Sequence, residues 1–132
     1  MPTIRNFFLS RAHSFRYAFS GWWYVIRTQK NAWIHAAATV CVVVMGIWLH
    51  LPLRDWAVLL LTITIVWTAE FLNTALEAVV DLASPQNHPL AKVGKDVGAA
   101  AVLIAACSAA LIAILILGPP LWAHIKVFFN PL

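Results

Sequence analysis

Glu70, Asn73, Glu77 and Asp81 interrupt an otherwise apolar stretch, TAEFLNTALEAVVDLA, from Thr68 to Ala83. The residues before it, WAVLLLTITIVW, read as a helix bathed in lipid. Each helical residue advances about 100° around the axis, so Glu77 and Asp81 return to within about 20° of Glu70 and Asn73 lies about 60° away. All four share one face. Ionisable side chains within a membrane span are costly, and they usually line a polar cavity with a task. Two plainer readings stand beside that one: a carboxylate kept neutral or paired inside a bundle, or a helix end emerging into water. The second suits Asp81 better than Glu70.

Two kinds of chemistry fit this face. A carboxylate can accept a proton from a hydroxyl. Carboxylates with amide oxygens can hold Mg²⁺, a hard cation that also takes nucleotide phosphates. The segment SPQNHPLAKVGK and the residue after it add His88, Lys92, Lys95 and Asp96, and a lysine there would offset phosphate charge. Acid, metal ligand and cation together suit phosphoryl transfer, in which catalysis is mostly positioning and charge stabilisation. No glycine-rich phosphate loop accompanies them.

These side chains need a scaffold inside a membrane. The chain has 132 residues, 62% hydrophobic and 11% charged, with a mean hydropathy of +0.82. A soluble domain of that size has too much surface to hide so much apolar material. The expected fold is all-α and integral to the membrane, one domain over residues 1–132. A membrane helix needs about 20 mostly apolar residues, which predicts spans over 32–51, 55–83 and 96–117. His50–Asp55 is expected to be a tight turn, residues 84–95 a polar loop, and Gly118–Pro120 the stop of the third span. Residues 4–27 mix Phe7, Phe8, Phe15, Phe19, Trp22 and Trp23 with Arg11, Arg16 and Arg27, the pattern of an amphipathic helix on the membrane surface.

Arg5, Arg11, Arg16, Arg27 and Lys30 precede the first span, and Lys92 and Lys95 lie in the 84–95 segment. The positive-inside rule therefore places the N-terminus and that loop in the cytoplasm, and the C-terminus opposite. No short apolar core with a cleavage site marks a secretory leader. Cys41 and Cys107 sit in apolar runs and are expected to be small packing residues, not a disulfide. The net charge of +4 does not form a soluble basic face, so no nucleic-acid partner is expected.

The run AEFLNTALEAVVDLASPQNHPLAKVGKDVGAAAVLIAA closely resembles the signature of the prokaryotic diacylglycerol kinase family, which includes undecaprenol kinases. The pattern is carried by Glu70 to Asp81, by His88 and Leu90, by Gly94 to Asp96 and by Gly98 to Ala101. The resemblance extends from about Tyr17 to Leu117. It implies a homotrimer with a surface helix and three spans per subunit, in a bacterial inner membrane. It also implies transfer of the γ-phosphate of ATP to the primary hydroxyl of diacylglycerol or undecaprenol, using Mg²⁺, at sites shared between neighbouring subunits. By the same resemblance Glu70 is the general base and Glu77 a metal ligand. Asn73, His88, Lys95 and Asp96 fall near the nucleotide, together with Tyr17 and Arg11 of the surface helix.

Gln29 stands where the family usually has a second metal-binding glutamate. Its neutral oxygen would still reach the metal or a metal-bound water, more weakly and without charge. Trp23 and His35 are candidates to touch lipid, although for His35 a plain hydrogen bond to a neighbour is preferred. Gly94, Gly98, Ala101 and Ala105 form a stripe that lets helices approach closely. Two rivals remain: a small multidrug-type transporter, which would need four spans, and an inactive relative of the kinases, motivated by Gln29.

Overall fold

A computed structural model describes residues 4–86 and 88–129. The described chain is all-helical: α1 (Ile4–Thr28), α2 (Lys30–Trp48), α3 (Leu53–Ala83) and α4 (Pro89–Phe129). Three of these, α2, α3 and α4, are long and apolar enough to cross a membrane. At about 1.5 Å per residue, α3 is roughly 46 Å long and outruns the roughly 30 Å hydrocarbon layer.

The α2–α3 connection is tight for identifiable reasons. His50 adopts a positive φ of 52°. Its N–H donates to the Ile47 carbonyl, and the Leu51 N–H donates to the Gly46 carbonyl, each at 3.1 Å. This is the Schellman closure, with histidine in the left-handed position that glycine usually fills. Pro52 then starts α3, and its carbonyl accepts from Asp55 and Trp56. Gly46 is required at the crossing, since a Cβ there would lie 2.9 Å from the Trp56 ring.

The closest packing joins α3 to α4. It depends on small residues. A Cβ at Gly98 would run into the Asn73 side chain and lie 3.1 Å from Leu76. Leu59, Val66, Glu70, Asn73 and Thr74 are the buried positions of α3.

Helix α4 departs from expectation at both ends. The 84–95 segment is a loop only as far as His88, because Pro89 supplies a helical φ at the first turn and needs no N–H partner there. The His88 Nδ1 accepts the Leu90 N–H at 3.2 Å and caps that turn. The third span also does not stop at Gly118–Pro120; the helix continues through both prolines to Phe129. Proline's fixed φ is helical, so the chain direction survives, while the carbonyls of Leu115 and Ile116 lose the N–H groups of residues 119 and 120. His124 Nδ1 reaches the Pro120 carbonyl at 3.0 Å.

Most of α1 is exposed, including Phe15, Phe19 and Trp23; the side chains of Phe7 and Phe8 lie outside the described residues. Cys41 and Cys107 are unpaired, as expected, but both face outward instead of packing.

Candidate active site

The polar face of α3 is graded. Glu70 is 1% exposed and Asn73 8%, Glu77 is half-buried and Asp81 is exposed. The gradient arises because α2 and α4 cover α3 around Glu70 and Asn73 and leave its last turns more open.

Around the buried part lies a cavity of about 240 Å³, lined by Gln29, Asn31, His35, Glu70, Asn73 and Glu77 with apolar residues of α2 and α4. Gln29 caps the start of α2 in an extended conformation, which turns its side chain back toward α3. Its Nε2 donates to Glu77 Oε2 at 3.2 Å. The Asn73 Nδ2, one turn earlier, donates to the other Glu77 oxygen at 3.0 Å. The carboxylate of Glu77 is therefore gripped from both sides by amides. Deeper in, His35 Nε2 stands 3.7 Å from Glu70 Oε2. Three buried polar atoms in this cavity have no hydrogen-bond partner: His35 Nε2, Glu70 Oε2 and Asn73 Oδ1. A buried polar group left unpaired costs about 1–3 kcal/mol; His35 and Glu70 face one another, and the Asn73 oxygen lies against Gly98.

A second cavity of about 510 Å³ lies at the α3–α4 turn, lined by Asp81, His88, Lys92, Lys95 and Asp96 among others. Lys95 Nζ pairs with Asp81 Oδ1 at 2.5 Å, and Lys92 pairs with Asp96. The Lys92–Asp96 pair is exposed on both sides, and Lys95 is half-buried beside an exposed Asp81; exposed pairs contribute only about 0–1 kcal/mol. Either lysine can be surrendered to an anion at little cost.

The chain thus brings Gln29, His35, Glu70, Asn73 and Glu77 to one cavity, and Asp81, His88, Lys95 and Asp96 to the next, one helical turn along α3. Arg11, Tyr17 and Trp23 line neither cavity. Tyr17 is 71% exposed, and the Trp23 ring lies under the Arg27 guanidinium, 4.5 Å from its centroid. The tryptophan of α1 that meets α3 is Trp22, stacked on Trp67 at 5.2 Å. Trp67 in turn donates its Nε1–H to Thr39 Oγ1 at 3.2 Å, and Thr39 donates to the His35 carbonyl at 2.7 Å. Nothing in the spacing of Trp22 and Trp67 announces that pairing. Among the described residues no three His, Cys, Asp or Glu side chains converge as a metal cluster.

Comparison with known families decides what this arrangement belongs to. The description of the prokaryotic diacylglycerol kinases matches residues 16–117. The chain belongs to the prokaryotic diacylglycerol kinase family. Kinase activity on a lipid is the function that membership carries, and the transporter reading falls with it. A diacylglycerol kinase of Synechocystis sp. is 48% identical over 109 residues, which are 82% of this chain and 62% of that protein. The undecaprenol kinase of Bacillus subtilis is 38% identical over 118 residues, 89% of this chain and 93% of its own length. The diacylglycerol kinase of Escherichia coli K12 is 35% identical over 102 residues, covering 72% and 80% respectively. Relatives in this family thus carry two substrate names.

Proposed function

We propose that the chain is one lipid-kinase domain that moves the γ-phosphate of ATP to the primary hydroxyl of a membrane alcohol, diacylglycerol or undecaprenol. The observation that carries this reading is the buried Glu70, whose Oε2 is unpartnered and faces the same cavity as Glu77 and Gln29. In the reaction, Glu70 Oε2 accepts the hydroxyl proton. The lipid oxygen bonds to the γ-phosphorus as the bond from phosphorus to the β–γ bridging oxygen breaks, and ADP leaves with that oxygen.

The donor set at Glu77 suits Mg²⁺: two carboxylate oxygens and, after half-turns of their amides, the oxygens of Gln29 and Asn73. All are hard ligands, and the remainder of the shell would be phosphate and water. Bound there, Mg²⁺ would neutralise charge on the β- and γ-phosphates. Lys95, released from Asp81, lies at the lip of the turn cavity to meet the phosphate tail, with Asp96 and Lys92 beside it and His88 on the nucleotide side.

Arg11 and Tyr17 line neither cavity of their own chain, which supports a homotrimer in which a neighbour's α1 helps complete the nucleotide site. A further support is the groove on α3 and α4 where Ala69, Ala101, Ala105 and Ser108 sit among Ile65, Ile104 and Ile112; its small side chains would let another helix come close. The lysine and arginine bias supports an inner-membrane protein with its N-terminus and the α3–α4 turn in the cytoplasm, and α1 lying on that surface, Trp23 toward the lipid. The test is labelled ATP with each lipid in mixed micelles, wild type against Glu70→Gln. A general base contributes about 10²–10⁴-fold, so turnover should fall by that range while ATP affinity stays. Equal loss of rate and ATP affinity would reassign Glu70 to metal binding.

A further inference from the structure

We propose that His35 and Glu70 form a two-residue seat for the substrate hydroxyl, opening onto a mainly apolar cavity with no free donor that selects a polyprenol over a diacylglycerol. This deepens the kinase reading and rests on it.

The seat follows from the two orphaned atoms. His35 Nε2 and Glu70 Oε2 are both buried and unpartnered. At 3.7 Å they face one another beyond hydrogen-bond reach, and one hydroxyl oxygen at about 2.8 Å from each would sit to one side of the line that joins them. The roles are complementary. Glu70 accepts the O–H proton, and His35, with its proton on Nε2, donates to a lone pair of the same oxygen. The remaining lone pair is free to attack phosphorus. As the proton leaves, negative charge grows on that oxygen, and a preplaced donor in a dry site stabilises it. His35 is held for this task from behind, through its own carbonyl, Thr39 and Trp67.

The selection follows from what lies below the seat. A third cavity, of about 260 Å³, shares Ile34, His35 and Ala106 with the carboxylate cavity and continues between α2, α3 and α4. Its other lining residues are Ala, Val, Leu and Ile, with Thr39 and Thr62 as the exceptions. Neither threonine has an O–H to offer. Thr39 donates to the His35 carbonyl and Thr62 to the Val58 carbonyl, both at 2.7 Å. An ester carbonyl drawn in behind the hydroxyl would therefore lose its water and find no donor, at a cost of about 1–3 kcal/mol per group on mutational scales. Diacylglycerol carries an ester on the carbon next to its hydroxyl carbon. A polyprenol has only hydrocarbon there.

The experiment measures kcat/KM of the intact enzyme in detergent for undecaprenol and for diacylglycerol, with wild type, His35→Ala and His35→Gln. Expected are at least a tenfold preference of the wild type for undecaprenol, and a loss of tenfold or more in His35→Ala confined to the lipid parameters. The KM for ATP should stay within twofold. Partial recovery is expected in His35→Gln, whose amide N–H reaches toward the same place. Equal or better use of diacylglycerol overturns the selection. A His35→Ala enzyme with wild-type lipid parameters, or one that loses ATP affinity in step, overturns the seat. A wild type that phosphorylates neither lipid overturns the kinase reading, and the seat with it.

Discussion

Replacing Gln29 by glutamate tests the proposed Mg²⁺ site through stability as well as activity. In the wild type the Gln29 amide donates to Glu77 Oε2 at 3.2 Å, a hydrogen bond to a charged group of the kind that contributes about 1.5–3 kcal/mol. Gln29→Glu removes that donor and sets a second carboxylate in its place. Two like charges held at the same 3.2 Å repel by about 5 kcal/mol at an effective dielectric of about 20. The side chains will swing apart and relieve part of this, so the expected net destabilisation in chelator is about 2–4 kcal/mol, the lost hydrogen bond plus residual repulsion. A divalent cation reverses the sign, because two carboxylates bind it better than a carboxylate and an amide. Thermal unfolding in detergent should thus show the variant below wild type in EDTA and raised by Mg²⁺ much more than wild type is. The Mg²⁺ concentration for half-maximal turnover should fall by tenfold or more, since about 1.4 kcal/mol of extra binding is a factor of ten. Identical Mg²⁺ responses of the two proteins, in stability and in turnover, would show that positions 29 and 77 do not share a cation. Turnover only in the glutamate variant would instead identify the natural chain as an inactive relative.

Glu77→Gln should raise the Mg²⁺ needed for half-maximal turnover by tenfold or more while leaving the apparent lipid KM near its wild-type value; an unshifted Mg²⁺ titration removes Glu77 from the metal site. Gly98→Ala places a methyl group against the Asn73 side chain, and overpacking of a close crossing costs about 1–3 kcal/mol. Its thermal midpoint should fall, and turnover should fall with it as Asn73 is pushed off Glu77. A variant with wild-type stability and rate would mean that α3 and α4 are not in this contact in the working enzyme.

Much of the fold was legible because the spans are long and apolar, and length against bilayer thickness is a strong signal. The ends of α4 were not. Proline and glycine were read as stops, but proline's φ is helical, and a helix within a membrane keeps its direction if the freed carbonyls find other partners. The start at Pro89 depends on the ring nitrogen of His88 taking the Leu90 N–H, a cap that histidine seldom signals. Similarly, Trp22 and Trp23 are indistinguishable by composition. Which of them meets Trp67 is decided by the rotation of α1, and that rotation is set by long-range packing.

The polar stripe shows the same division in sharper form. Periodicity places Glu70, Asn73, Glu77 and Asp81 on one face and treats them alike. Packing makes them different: α2 and α4 close over Glu70 and Asn73, leave Glu77 half covered, and leave Asp81 exposed, where Lys95 meets it. Eleven residues of helix carry that change over about 16 Å. A reaction between a fatty alcohol and a nucleotide needs such a gradient, because one substrate arrives from hydrocarbon and the other from water. The base must sit where the alcohol is dry, and the phosphate ligands where ions remain hydrated. Shifting either acid by two residues would turn it to another face. Shifting it by a full turn would keep the face but move it about 6 Å along that gradient, away from the depth its proposed role requires. Spacing therefore fixes the direction of each acid, and the crossing helices fix its depth.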